Sequence, residues 1–415
     1  MNIKKKIKKM SEKNYFFRNI YNRLIYIKKK CYYRKNYKKI DVDDKMIIFE
    51  AFFAKKYACS PKAIYEYMAN NSKYDDYKFV WAFRKPNEAR ELFRDKKVIL
   101  VKYDSKKYYR YYAKAKYWIR NTRLPECIIK KDNQVYIQCW HGTPLKKLGF
   151  DIKVKGNNPL SSNRLVRKQY NHDSKMYDYM ISPSKYCTEK LISSFNLEKL
   201  GKKDIIVEKG YPRNDELFKF NEKYVRKVKE NLGIPLEKEV IMYAPTFRDN
   251  QHKLGVGYTH DLMLDLDKLK EELGDKYVIL LRLHYHVANK INVYKYSGFV
   301  YDVSQYDNIN DLYIISNMLI TDYSSVFFDY ANLKRPMLFY MYDLEQYKGD
   351  TRDFYIDLQE LPGPILKSEE EVIDSIKNIE NIEKEYKEKY RKFNEKFNYL
   401  DDKDSSKRVV ETCIK

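Results

Sequence analysis

The chain alternates short apolar runs with longer stretches of helical periodicity, and this alternation is the strongest constraint on its fold. Seven apolar runs lie in the first half: MIIFEAFF, FVWAF, VILVKY, YWIRN, VYIQCW, YMISPS and DIIVEKGYP. After a charged helical stretch the alternation restarts with EVIMYAPTF, YVILLRLH, GFVYDVS, NMLITDYSS and PMLFYMYD. Strands that alternate with helices predict parallel sheets covered on both faces. We therefore predict an α/β protein with two Rossmann-like domains that face a central cleft.

The length of the chain agrees with two domains and a short additional segment. Its 415 residues are 44% hydrophobic, which suits a folded protein with a substantial core. We place a basic amphipathic helical segment at residues 1–40, a first Rossmann-like domain at 41–218, and a second at 219–415 that includes terminal helices. Ligands of open parallel sheets bind beyond the carboxyl ends of the strands. The candidate site residues are therefore those that follow strands.

The positive charge of the chain is concentrated at its N-terminus. The formal net charge is +24, and residues 1–40 contribute +14 of it, from fifteen Lys and Arg residues and one acid. Phe17, Ile20, Leu24 and Ile27 fall on one face of a predicted helix. A basic amphipathic helix is typical of a segment that lies on an anionic membrane surface. The alternatives are a helix packed on the protein body, a disordered basic tail, and a nucleic-acid contact.

Several classes of protein do not fit this sequence. No apolar run reaches the roughly 18–20 residues needed to span a bilayer, and Arg18 and Arg23 interrupt the apolar part of a possible signal peptide. The six cysteines form no CxxC pair, which predicts reduced core cysteines in a cytosolic protein. Cysteines and histidines do not cluster, so we predict no metal site, and no motif predicts a cofactor.

Two histidines occupy equivalent positions in the two halves. His141 ends a strand in CWHGTP, and His284 ends a strand in LRLHYHV. One strand-end histidine is more often structural than catalytic, but one per domain at the same cleft favours catalysis. The sequence has no GxxxxGK[ST] motif, no GxSxG motif, and no GxGxxG after the first strand. These absences argue against a P-loop kinase, an α/β-hydrolase and a nicotinamide dehydrogenase.

A predicted helix N-terminus supplies a candidate anion site. Ser324 and Ser325 follow the apolar run NMLI in TDYSSVFFDYA. Serine hydroxyls and free N–H groups at the start of a helix attract negative charge. The structural alternative is a plain N-cap. Asp322 is a lone carboxylate there, and no carboxylate cluster that would hold Mg²⁺ is evident.

Two further stretches at strand ends add basic and polar side chains. APTFRD offers Thr246 and Arg248 to the cleft, and GYPRND offers Arg213 and Asn214. Arginine suits phosphate because its guanidinium donates in a planar fork. Each could instead form an ion pair near the domain junction. Together with the histidines and serines, these residues predict a phosphate site, and a diphosphate fits it best.

The motifs in this order resemble the CDP-glycerol glycerophosphotransferase family. The resemblance rests on FEAFFAKKYACSPKAIYEYM, WHGTPLKKLGFD, GYPRND, APTFRD, LRLHYHV, DVSQYDNINDLYIISNMLITDYSSVFFDYANLKRP and RDFYIDLQELPGPI, and it covers roughly residues 46–395. It implies a GT-B fold, with an acceptor domain first and a CDP-alcohol-binding domain second. It also implies the synthesis of teichoic acids or related phosphate-linked polymers.

The resemblance also implies roles for individual residues. His141 and His284 match the catalytic histidines of the family. The implied donor-binding residues are Thr246, Arg248, Arg282, Ser324, Ser325, Arg213 and Asn214, and the implied acceptor or cleft residues are Gly142, Thr143 and Asp322. The sequence departs from the family pattern at Asp353, at Asn317 and at the pair Phe53-Ala54.

The implied reaction transfers glycerol phosphate from CDP-glycerol to the terminal hydroxyl of a lipid-linked glycerol phosphate acceptor, with release of CMP. We expect His141 to act as the general base and His284 to stabilise the diphosphate, although the two roles could be exchanged. We expect a peripheral protein at the cytoplasmic face of the plasma membrane. The alternatives are a CDP-ribitol or other CDP-alcohol donor, a nucleotide-sugar glycosyltransferase, and, least favoured, a nucleic-acid-binding protein.

Overall fold

Two parallel sheets form the framework of the protein. The computed structural model describes residues 15–94, 97–152, 163–246, 252–253, 257–258, 262–283, 293–345 and 353–415. The strands are β1 Asp43–Glu50, β2 Lys78–Phe83, β3 Val98–Lys102, β4 Ala115–Arg120, β5 Val135–Gln138, β6 Tyr179–Ser182, β7 Ile206–Glu208, β8 Glu239–Ala244, β9 His252–Lys253, β10 Gly257–Tyr258, β11 Tyr277–Leu281, β12 Val300–Asp302, β13 Met318–Thr321, β14 Met337–Tyr340 and β15 Ile365–Leu366. The helices are α1 Tyr15–Lys39, α2 Cys59–Ala69, α3 Lys106–Lys114, α4 Asn163–Ser174, α5 Lys185–Ser194, α6 Glu222–Leu232, α7 Leu266–Leu273, α8 Ile309–Ile315, α9 Val326–Tyr330, α10 Glu369–Lys377, α11 Ile379–Phe397 and α12 Ser405–Cys413.

The two sheets share one topology. The first has seven parallel strands in the order β3-β2-β1-β4-β5-β6-β7, and the second has six in the order β12-β11-β8-β13-β14-β15. Each half thus shows the Rossmann order, in which the chain direction across the sheet reverses between the first and fourth strands of that half. The predicted GT-B architecture is confirmed, and its two switch points lie beside β1 and β4 in one half and beside β8 and β13 in the other.

The central strands of each sheet are buried on both faces, as the continuous apolar runs predicted. In β8, Val240 and Met242 belong to the core on one face of the sheet, whereas Ile241 and Tyr243 belong to the core on the other face. Successive side chains of a strand point to opposite faces, so both faces need a helical cover. This burial explains why the strands read as apolar runs rather than as an alternation of apolar and polar residues.

A buried ion pair joins the carboxyl ends of β1 and β4. Glu50 Oε1 lies 2.6 Å from Arg120 Nη2, and both side chains are fully buried. The hydroxyls of Tyr108 and Tyr112 on α3 donate to Glu50 Oε2 at 2.9 and 3.1 Å. Buried charges are tolerated when paired and hydrogen-bonded. The network therefore fixes the switch point of the first sheet directly behind the cleft.

The basic N-terminal helix α1 differs between its two halves. Ile20, Leu24 and Ile27 are 43%, 60% and 46% exposed, so the described residues leave much of this apolar face open to solvent. Further along, Tyr33 is fully buried, and its hydroxyl donates to the carbonyl oxygen of Ile129 at 2.7 Å. The second half of α1 therefore belongs to the fold. No helix in the described part of the chain is long and apolar enough to cross a membrane.

The last helix returns to the first domain. Val409, Val410 and Cys413 on α12 are buried within the core of the first sheet, and the hydroxyl of Tyr117 donates to the carbonyl oxygen of Lys415 at 2.6 Å. The sequence boundaries assigned all residues from 219 onward to the second domain. The structure differs here, because a short helical pattern does not indicate which of two cores it will cover.

Candidate functional site

His141 lies on the loop that follows β5, facing the cleft between the two halves. Its Nδ1 atom is 2.7 Å from the carbonyl oxygen of Asn121, the residue that follows β4. A carbonyl can only accept a hydrogen bond, so Nδ1 carries the proton. The lone pair is then on Nε2, which makes no hydrogen bond with any described residue. This is the tautomer that a general base facing the cleft requires.

The environment of His141 keeps the imidazole neutral. The ring is exposed to the open cleft, yet protein surrounds it at longer range, and this burial lowers the pKa of His141 to about 4. The bond to Asn121 opposes the shift, and the positive charge of Arg213 adds to it. Because water in the cleft still reaches the ring, we conclude only that the pKa of His141 is lowered. The imidazole is therefore uncharged at neutral pH.

A left-handed turn packs beside this histidine. Phe52, Phe53 and Ala54 directly follow β1 and its neighbour Ala51, and have φ angles of 48°, 56° and 60°. Positive φ is unfavourable for residues that carry a Cβ, and three in succession persist only where the surroundings impose them. The Phe52 N–H donates to Asn121 Oδ1 at 2.9 Å, and the Phe52 ring meets the His141 ring edge-on at 6.3 Å between centroids. Asn121 therefore contacts both the turn and the histidine.

A cavity of about 470 Å³ connects His141 with the second domain. It is lined by Trp140, His141, Gly142, Thr143, Pro144, Leu145, Lys146, Leu148, Ala244, Pro245, Thr246, Arg282, Leu283, Ile309, Tyr323, Ser324, Ser325 and Val326. These residues follow β5 in the first sheet and β8, β11, β12 and β13 in the second. The cavity thus lies beyond the carboxyl ends of strands, at the edge where α/β proteins bind ligands.

The two serines of TDYSS face this cavity from across the cleft. Ser325 is the residue before α9, but its side chain does not cap the helix. Neither hydroxyl makes a hydrogen bond within the described part of the protein, so both are available to a ligand. A Cβ atom added to Gly142 would lie 3.1 Å from Ser325 Oγ, which is tighter than most real contacts. Glycine at 142 therefore lets the histidine loop approach the serine loop.

Asp322 and Arg282 shape the cavity wall on the second domain. Asp322 is buried, and its Oδ1 accepts a hydrogen bond from the Thr246 N–H at 2.8 Å, which ties the loop after β8 to the loop after β13. Arg282 lines the cavity, and its Nη1 donates to the carbonyl oxygens of Val303 and Tyr306. Its Nε and Nη2 atoms make no hydrogen bond with described residues.

Arg213 and Asn214 lie at the domain junction rather than in the cavity lining. Arg213 Nη2 is 2.6 Å from Asp329 Oδ1. Asn214 Nδ2 donates to Asp401 at 2.6 Å. Both side chains are buried. Arg213 still acts on the site at a distance, because its charge disfavours protonation of His141. The structural alternative considered for GYPRND, an ion pair at the junction, describes these contacts.

Two predicted site residues, Arg248 and His284, lie outside the described residues. Arg213 and Asn214 lie outside the cavity lining, and Asp322 lies behind it, bonded to Thr246. The remaining predicted site residues line the cavity: His141, Gly142, Thr143, Thr246, Arg282, Ser324 and Ser325. The described residues contain no group of three or more His, Cys, Asp or Glu side chains that could hold a metal ion.

The sequence did not predict that residues 353–355 would bond to residues 145–147 across the cleft. We call this contact the strap. The Lys147 N–H donates to the carbonyl oxygen of Asp353 at 2.9 Å, and the Tyr355 N–H donates to that of Leu145 at 2.8 Å. Lys147 Nζ and Asp353 Oδ2 form an ion pair of 2.9 Å. Asp353, one of the departures from the family pattern, thus contacts the loop that carries His141. The departure from the family pattern at Asp353 was the only signal in the sequence that pointed to this contact.

Comparison with known proteins agrees with this geometry. Residues 31–415 match the family described as CDP-Glycerol:Poly(glycerophosphate) glycerophosphotransferase. The chain belongs to this family. It is 43% identical to a teichoic acid poly(glycerol phosphate) polymerase of Bacillus spizizenii over 90% of this chain and 92% of that protein. It is 42% identical to a polymerase of the same description from Bacillus subtilis, over 91% of this chain. The chain spans about half the length of that second relative, 50%.

Solved structures agree with the family assignment. A structure of the wall teichoic acid polymerase TagF, in a histidine-to-asparagine variant soaked with CDPG, has a TM-score of 0.86 and is 37% identical. The likeness covers 96% of each chain. The chain is thus an enzyme of the glycerophosphotransferase family with the GT-B fold that its sequence predicted.

Proposed function

We propose that this enzyme transfers glycerol phosphate from CDP-glycerol to the terminal hydroxyl of a lipid-linked glycerol phosphate acceptor, releasing CMP. The observation that carries the proposal is the neutral His141 whose Nε2 faces a cavity shared with the Ser324 and Ser325 hydroxyls. The relatives are described as teichoic acid poly(glycerol phosphate) polymerases. The proposed product is therefore a poly(glycerol phosphate) of the teichoic acid type.

In the proposed mechanism, His141 Nε2 accepts the proton of the acceptor hydroxyl as its oxygen attacks the β-phosphorus of CDP-glycerol. The bond from that phosphorus to the bridging oxygen breaks, and the electron pair leaves with CMP. Ser324, Ser325, Arg282 and Thr246 would hold the diphosphate, with Arg248 and His284 as further ligands. Phosphoryl transfer depends mainly on such positioning and charge compensation.

Binding of the donor would raise the pKa of His141. An unliganded imidazole with a lowered pKa is a weak proton acceptor. A bound diphosphate places negative charge near the ring and favours its protonated form, which raises the pKa towards neutrality. His141 would thus become an effective base when the donor is bound, and the Asn121 carbonyl would stabilise the imidazolium.

The test is CMP release from CDP-glycerol in the presence of a lipid-linked glycerol phosphate analogue. We expect His141→Asn to lower kcat by about 10²–10⁴-fold, while calorimetry still detects binding of CDP-glycerol. CDP-ribitol is the competing donor, and it is assayed in parallel. Turnover of CDP-ribitol alone would reject the donor assignment, and full activity of the variant would reject His141 as the base.

We also propose that the first half of α1 lies on an anionic membrane surface at the cytoplasmic face of the plasma membrane. The exposed side chains of Ile20, Leu24 and Ile27 support this, because they form an apolar face within a strongly basic segment. Replacing all three with serine should abolish cosedimentation with vesicles that contain anionic lipid, while CDP-glycerol binding persists. Undiminished cosedimentation of the variant would contradict the proposal.

A further inference from the structure

Two cations from opposite domains converge beside the cavity. Lys56 belongs to the first domain, and its Nζ lies 3.4 Å from the carbonyl oxygen of Tyr306 in the second. Arg282 lines the cavity, and its Nη1 donates to the same oxygen at 2.6 Å. Since both nitrogen atoms contact one oxygen atom, the two charges are close neighbours. Lys56 is not itself in the cavity lining, so it stands at the edge next to Arg282.

The left-handed turn after β1 delivers Lys56 to this position. Lys56 follows two residues after Ala54, the last of the three residues with positive φ. The same turn places the Phe52 ring against His141. One strained local structure therefore fixes the distance between the proposed base and the lysine. Backbone strain of this kind persists where the surroundings enforce it, and it is concentrated at ligand-binding sites.

The positive charge of the pair is incompletely balanced by protein. Within the described part of the chain, Arg282 has no carboxylate within ion-pair distance, and its Nε and Nη2 atoms remain without hydrogen bonds. The carboxylate near Lys56 is that of Asp307, at 3.2 Å, and it is 67% exposed to solvent. An exposed carboxylate is screened by water and contributes little to such a pair.

The electrostatic surroundings of the pair agree with this imbalance. Burial lowers the pKa of Lys56, and the charge of Arg282 lowers it further. Burial also lowers the pKa of Arg282. Two like charges held together away from water are unfavourable, and an anion bound between them would offset that cost. A phosphate oxyanion suits the pair, because a guanidinium fork and an ammonium group both donate to it well.

We propose that Lys56 and Arg282 form a phosphate subsite that is complete only when both domains meet. This inference rests on the proposed function and adds Lys56 to the residues that bind substrate. The ligand is a phosphate oxygen of one of the two substrates. Its source is either the diphosphate of CDP-glycerol or the phosphodiester nearest the attacking hydroxyl of the acceptor.

Two variants with opposite expected effects test the subsite. Lys56→Met removes the cation and should weaken binding of the phosphate-bearing substrate by about tenfold. Asp307→Asn removes the carboxylate that competes for Lys56, so binding should be unchanged or tighter. If Lys56 and Asp307 serve only to hold the domains together, both variants should weaken binding alike. Lys85→Met is the matched control, because Lys85 is an exposed lysine of the same domain paired with Glu88 at 2.8 Å.

Two measurements identify the source of the phosphate. One is the Kd of CDP-glycerol without acceptor, by calorimetry, and the other is the KM of the acceptor analogue at saturating donor. A loss of affinity in Lys56→Met without a loss in Asp307→Asn supports the subsite. Seen in the first measurement, this result assigns the subsite to the donor, and seen in the second, it assigns the subsite to the acceptor. The proposal is overturned if neither measurement changes in Lys56→Met, or if both variants lose affinity equally.

The outcome is separable from the proposed function. Wild-type turnover of CDP-glycerol tests the reaction, whereas only the variants test the subsite. Thermal unfolding establishes that each variant is folded. Should Lys56→Met not fold, Lys56→Gln compared with Lys56→Arg gives the same test, because arginine keeps the charge and should bind within about threefold of wild type.

Discussion

The bond between the His141 ring and the Asn121 carbonyl links the chemistry of one side chain to the end of a neighbouring strand. A backbone carbonyl survives any substitution of Asn121, so the tautomer of His141 is determined by the path of the chain after β4. The side chain of Asn121 contributes separately, because its Oδ1 accepts the N–H of Phe52. The orientation of His141, the proposed base, therefore depends on three loops from three strands.

The lowered pKa of His141 predicts an acid-tolerant enzyme. A base that is neutral down to a pKa of about 4 keeps its lone pair at pH values where an ordinary imidazole is protonated. We expect kcat/KM, which reports ionisations of the free enzyme, to show no fall near pH 6.5 and to decline only as the pH approaches 4. A decline centred near pH 6.5 in the pH profile of kcat/KM would contradict the lowered pKa of His141.

The glycine at position 142 predicts a steric effect on catalysis. Gly142→Ala should place a methyl group 3.1 Å from Ser325 Oγ and displace that hydroxyl from its position in the cavity. We expect CMP release to fall by about tenfold, corresponding to about 1.4 kcal/mol, with little change in thermal unfolding. Activity equal to that of the wild type would show that the approach is unnecessary.

At the scale of elements, the carboxyl ends of β1 and β4 position the loops that contact His141. β1 ends in Glu50 and β4 in Arg120, and the loops that follow these two residues supply Phe52 and Asn121. The buried ion pair therefore lies directly behind the residues that contact His141. The buried end of a strand keeps its position only if a charged residue there is paired with an opposite charge.

This arrangement predicts a large and specific loss of stability. Glu50→Gln leaves the Arg120 charge buried without its carboxylate, which typically costs about 3–5 kcal/mol. Asp43→Asn is the matched control on the same strand, because its partner Lys78 is half-exposed and such pairs contribute about 0–1 kcal/mol. Urea unfolding measures both free energies. A small loss in both variants would mean that the buried pair is dispensable.

At the scale of the whole molecule, the first domain is completed from both ends of the described chain. The second half of α1 covers it with Tyr33, and α12 returns from the end of the second domain to cover it with Val409 and Val410. After α11, the chain therefore crosses between the two domains a second time. Relative motion of the domains is constrained by this return and by the strap between Lys147 and Asp353.

The return of α12 predicts that damage at the C-terminus affects the first domain. Val410→Asp would bury a charge in the core of the first sheet, and we expect it to unfold that domain or lower its Tm by more than 10 °C, on the order of a several-kcal/mol loss. Lys407→Asp introduces the same side chain at an exposed position of α12 and should change Tm little. Calorimetry compares the two. Similar melting curves would place α12 outside the first core.

The sequence alone determined the two α/β halves and the residues that follow their strands. Apolar runs long enough for a strand buried on both faces are unambiguous when helices separate them, and motifs such as HGTP and TDYSS directly follow such runs. The resemblance to the family then predicted that His141, Ser324 and Ser325 are site residues. These inferences depend only on the local order of residues along the chain.

Only the tertiary structure determined which residues that lie far apart in the sequence come into contact. The proximity of Lys56 to Arg282, the bond between Asn121 and His141, and the pairing of Arg213 with Asp329 join residues far apart in sequence. Arginines in APTFRD and GYPRND look alike in the sequence, yet Arg213 is neutralised at the domain junction. Periodicity specifies which elements form, but it contains no information about contacts between loops of different domains. Those contacts arise only when the two sheets have folded and face each other.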